Sequence, residues 1–231
     1  KPRGSPVRLA ALSGFLAMAL SALVGAEARS ADPSDCPVAA ELREKSVETL
    51  RGALHTQERW VKVHAAEYLV RLDYPQGVRE AFLEERRKFG GQPQYRIGIW
   101  RVLARAAFQE QARDQWIAQV RRAFDDPAGP DRLHAVESLA KLGYRIPLDR
   151  EGLRPRAPGD RIFLEAARAE AGPMAAYARW VFANSGRRGG AAWIADLLAS
   201  SDGPTRTAAA YALRHLKEIP AEVQERLLAA A

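Results

Sequence analysis

Two His-x-x-Glu pairs carry the side chains best suited to chemistry in this sequence. His64 and Glu67 lie three residues apart, and His134 and Glu137 repeat the spacing. On a helix each pair shares one face. Imidazole with carboxylate suits zinc or iron, and it equally suits hydrogen bonds and ion pairs between stacked helices. A metal-dependent enzyme or sensor built on these four residues is therefore the alternative reading. Gly-x-Ser-x-Gly, a phosphate loop, His-Glu-x-x-His and nucleotide fingerprints do not occur. The adjacent carboxylates Glu84 and Glu85, like Asp125 and Asp126, point in different directions, as in a solvated helix or a turn and unlike a glycosidase pair. The sequence assigns no catalytic residue and no cofactor.

Both pairs sit in a repeated phrase. Val63-His64-Ala65-Ala66-Glu67-Tyr68-Leu69 returns as Leu133-His134-Ala135-Val136-Glu137-Ser138-Leu139, and the copies go on to Tyr74 and Tyr144. With Ala65 as anchor, the phrase aligns again at Ile99, Ala135, Ala178 and Ala209, in steps of 34, 36, 43 and 31 residues. Four positions later stand Leu69, Leu103, Leu139, Phe182 and Leu213, the rhythm of one buried helix face. Three positions before the anchor stand Lys62, Arg96, Arg132 and Arg206, with Ala175 in the fourth copy. These cations are expected to bind carbonyls or acids of neighbouring turns.

Partner helices are predicted over 39–54, 77–88, 112–124, 161–171, 191–198 and 221–230, from apolar residues three and four apart. Turns at 125–130 and 201–204 hold Asp, Gly and Pro, and Gly143 and Gly186 sit where helices should stop. The excursion at 144–159, with Pro147, Pro155 and Pro158 among four arginines, is predicted to be an irregular surface insertion.

The stretch Pro204-Thr205-Arg206-Thr207-Ala208-Ala209-Ala210-Tyr211-Ala212-Leu213 resembles the second helix of bacterial lyase-type HEAT repeats. Val61-Lys62, Tyr95-Arg96 and Asp131-Arg132 match that family's hydrophobic-cation pair loosely. The resemblance implies an all-α, right-handed α-α superhelix of about five helix pairs over residues 38–231, with the second helices lining a concave face. Glu67, Arg101, Glu137, Trp180 and Tyr211 occupy one slot of successive second helices and would form a column there, suited to a polar peptide. The HEAT-like deoxyhypusine hydroxylases bind iron through His-Glu dipeptides. None occurs in this chain, and Arg101 stands where a third pair would fall.

The amino end has Lys1, Arg3 and Arg8, an apolar run from Leu9 to Val24, then Ala26-Glu27-Ala28. This is the pattern of a cleaved export signal over 1–28, followed by a linker at 29–37. The mature chain is then expected to be periplasmic or extracellular and not membrane-spanning. Cys36 is the single cysteine, so an internal disulfide is excluded. The formal charge is +7, falling to +5 when three cations and one anion leave with the signal. Acidic residues are interleaved with the basic ones, which speaks against nucleic acid as a partner. The sequence leads to an exported, non-enzymatic scaffold that binds a protein or peptide of the cell envelope.

Overall fold

A computed structural model describes residues 37–230. The expected export signal, Cys36 and the linker up to residue 36 lie outside these residues. The chain divides into two units, 1–46 and 47–231. Within the first, the described part belongs to helix α1 (Pro37–Thr56) and is exposed from Ala40 to Ser46.

The second unit is all-α among the described residues. After α1 come α2 (Arg59–Arg71), α3 (Val78–Phe89), α4 (Tyr95–Arg105), α5 (Glu110–Asp125) and α6 (Arg132–Lys141). They are followed by α7 (Arg161–Arg168), α8 (Pro173–Asn184), α9 (Gly190–Ala195), α10 (Gly203–Leu213) and α11 (Ala221–Ala230), with short 3-10 turns at Pro158–Asp160 and Asp196–Ala199. No described helix is long and apolar enough to cross a membrane.

The repeated phrase occupies α2, α4, α6, α8 and α10, which pack against one another in that order. The helix before each phrase helix from α4 onward packs onto it: α3 on α4, α5 on α6, α7 on α8 and α9 on α10. Ala65, Ile99, Ala135, Ala178 and Ala209 are all buried, as are Leu69, Leu103, Leu139, Phe182 and Leu213. In four of the five copies a small alanine anchor is followed four residues later by a bulky residue, which lets neighbouring axes approach while the larger side chain fills the space between them.

Three phrase helices stop in the same way. Asp73, Gly143 and Gly186 take left-handed φ values of 68°, 69° and 81°. The next amide in each case donates back five residues: Tyr74 to Leu69 O, Tyr144 to Leu139 O and Arg187 to Phe182 O. These are Schellman ends. Glycine accepts this conformation freely, whereas Asp73 does so at a cost.

The predicted cation series divides into two kinds of contact. Lys62 reaches Glu85 at 2.8 Å and Arg96 Nε reaches Asp131 at 2.7 Å, both in segments that follow. Arg132 donates instead to Phe124 O, and Arg206 to the carbonyls of Ser200 and Ser201, both in segments that precede. In the fourth copy Arg179 does comparable work from another register, bonding the carbonyls of Ala167, Ala169 and Trp193. The insertion is a small looped ribbon rather than a featureless excursion. Leu148 and Pro155 form a bridge, and Asp149 Oδ1 accepts from the amides of Leu153 and Arg154.

Candidate functional site

The candidate site is assembled by the phrase helices, whose matching register brings their slots side by side. Its centre is Arg101 on α4, 1% exposed. Its guanidinium donates twice to Glu67 on α2, Nε to Oε1 at 2.6 Å and Nη2 to Oε2 at 3.2 Å, and once to Ser138 Oγ on α6 at 2.8 Å. A planar fork on a carboxylate is the geometry that makes burial of both charges tolerable. His64 Nδ1 lies 3.4 Å from Glu67 Oε2, and Arg105 Nη1 lies 3.6 Å from Oε1. Burial opposes the charge of Glu67, yet His64, Arg101 and Arg105 together hold its carboxyl far below the usual carboxylate range.

Farther along, Lys141 Nζ meets Glu137 at 2.7 Å and lies 5.0 Å from the centre of the Tyr211 ring. Tyr211 contacts Tyr177, Trp180 and His215. Burial, then the charges of Glu137 and Tyr211, push the Tyr177 hydroxyl up to about 12. Burial is also the main force holding His215 below the ordinary histidine value. Arg214, Lys141 and Arg71 add to it, and the bond to Tyr211 O opposes it.

The five residues expected in one column are thus joined by contacts, but they do not present one continuous surface. Arg101 and Trp180 are buried, at 1% and 3% exposure. Arg101 is sealed because two flanking helices supply its partners, Glu67 and Ser138. Trp180 is sealed because α8 packs on α6 and α10 at once. Glu67, Glu137 and Tyr211 keep partial exposure.

The two histidines meet on an indole. Trp60 stacks with His134 at 5.5 Å between centroids and 21° between planes, and its ring lies 6.5 Å from that of His64. Gly98 of α4 makes room for it, since a Cβ there would come within 2.9 Å of the Trp60 ring. Among the described residues no group of three or more His, Cys, Asp or Glu side chains is placed to hold a metal. His134 Nδ1 is buried without a hydrogen-bond partner.

Sequence reasoning singled out His64, Glu67 and Tyr211 but not the cations that line the open space beside this network. A cleft of about 370 Å³ is walled by α2, α4, α6 and α10 and includes His64, Glu67, Tyr68 and Tyr211. Arg71, Arg105 and Lys141 also line it. They stand six positions after the anchors of the first three copies, a regularity readable in the sequence, and His215 takes the same place in the fifth.

Comparison of the chain with protein-family models, curated proteins and solved structures gives no match.

Proposed function

We propose that the chain is an exported, non-enzymatic helical-repeat scaffold that binds a protein or peptide of the cell envelope along the face formed by its phrase helices. In this reading residues 38–231 are a HEAT-like, right-handed α-α superhelix of about five helix pairs, and that face is its concave side. The observation that carries it is the character of the face. Four phrase helices contribute to one cleft, where partly exposed carboxylate, cationic and aromatic groups stand side by side. Tyr68 is 53% exposed on its rim. Aromatic and arginine side chains around a cleft are typical anchors for a peptide.

The metal reading has one observation in its favour, the unpartnered Nδ1 of His134. It is the weaker, because both oxygens of Glu67 are engaged by Arg101 and Glu137 by Lys141.

A photo-reactive residue placed at Tyr68 on the cleft, or at Gln119 on α5, tests the scaffold reading in the envelope fraction of producing cells. A discrete protein adduct from position 68 and not from 119 is expected. Identical adduct patterns from both positions, or none from position 68, would overturn the reading. Stoichiometric zinc or iron in the purified protein would favour the metal alternative.

A further inference from the structure

Cations from four helix ends converge on the cleft described above. Arg71 and Arg105 are the last residues of α2 and α4, Lys141 is the last of α6, and Arg214 directly follows α10. A cation at a helix C-terminus is ordinary on its own, since it offsets the partial negative charge of the terminal carbonyls. That accounts for each residue separately. It does not account for four such ends lining one space of about 370 Å³.

The internal partners leave positive charge over. Glu67 is the one carboxylate on the cleft wall, and it is already saturated by buried Arg101. Arg105 is held by a bond to Lys141 O at 3.2 Å and Lys141 by Glu137, so both are fixed in position. Arg71 and Arg214 are exposed and have no acidic partner among the described residues. Arg214 lies over the Tyr211 ring with 4.6 Å to its centre, which orients the guanidinium beside the cleft. His215 is depressed mainly by burial, and Arg214, Lys141 and Arg71 add to that depression.

We propose that this cleft is a binding site for a compact, multiply charged oxyanion, a phosphate ester or a di- or tricarboxylate, clamped by Arg71, Arg105, Lys141 and Arg214. Its walls come from α2 and α10, near opposite ends of the helix series, as well as from the helices between them. Half-buried, held cations beside exposed guanidinium groups without acidic partners are the arrangement that recognises such a group by charge-assisted hydrogen bonds. The proposal goes beyond the peptide reading, since a compact anion can occupy the cleft whether or not a peptide lies along the face.

Calorimetric titration of the purified protein at low salt, with inorganic pyrophosphate, citrate and hexaglutamate in separate arms, tests it. Saturable one-to-one binding of pyrophosphate or citrate is expected, and the arm that binds identifies phosphate or carboxylate chemistry. The double variant Arg71→Gln, Arg214→Gln should weaken that binding by about tenfold or more while leaving the helical circular dichroism intact. Arg150→Gln with Arg154→Gln, exposed arginines of the insertion, should leave it unchanged. Failure of both compact anions to bind, binding of hexaglutamate alone, or equal weakening by the two double variants would overturn the site.

Discussion

Arg101 concentrates the energetics of the phrase helices in one side chain, because its two hydrogen bonds, beside the contributions of His64 and Arg105, help keep Glu67 charged in a largely buried place. Its removal takes the bidentate partner from a largely buried carboxylate, leaving only the longer contacts to His64 and Arg105. Arg101→Ala is expected to cost about 3–5 kcal/mol, read as a lowered urea midpoint at neutral pH. Glu67 also makes stability depend on pH. Its folded-state pKa lies below the unfolded value, so its contribution is full above the ordinary carboxylate range. It is lost as pH falls from about 4.3 toward the folded value, because protonation then favours the unfolded chain. Urea titrations of the parent and Glu67→Gln between pH 6 and pH 3 should therefore converge as acid is added. A gap that stays constant over this range would mean that the Glu67 charge is not coupled to folding.

Helices α2 and α4 approach where Gly98 faces the Trp60 ring, and glycine there is a packing choice made against helix propensity. A Cβ at Gly98 would meet Trp60 at 2.9 Å and Val63 at 3.1 Å, whereas one at Gly52 of α1 would meet nothing within 4 Å. Gly98→Val should therefore destabilise the fold by about 1–3 kcal/mol through overpacking. Gly52→Ala should stabilise it by about 0.5–1 kcal/mol, the ordinary gain of replacing an unneeded helical glycine. Thermal unfolding of the two variants measures the contrast, which is one of sign. If Gly98→Val melted at or above the parent temperature, the α2–α4 approach would be looser than described.

Over the second unit as a whole, burial is deepest in the middle of the helix series and thin at its end. Helix α8 packs on α6, α7, α9 and α10, and seven of its residues are buried. In α11, Val223 is the one buried residue among those described. Local opening costs least where few apolar contacts must break. Amide hydrogen exchange is expected to release α11 well before α8, so that Gln224 and Leu227 exchange by local opening while Val181 and Phe182 wait for global unfolding. Equal protection of the two helices would mean that the unit opens as a single block.

The sequence by itself determined the helices and their buried faces. Ala65 with Leu69, and the four later pairs like it, are local periodic signals, and Gly143 and Gly186 mark helix ends because few other residues accept their backbone angles. The existence of the phrase helices and their buried anchors were legible for this reason. Tertiary packing alone decided which side of each slot is open. Arg101 and Trp180 share the register of Glu67 and Tyr211, yet both are sealed, because burial depends on how two neighbouring helices close over a residue and not on its place in one helix. The convergence of Arg71 and Arg214 is likewise a property of the assembled unit. They lie near opposite ends of the helix series, and only the packing of the helices between them brings them to one cleft.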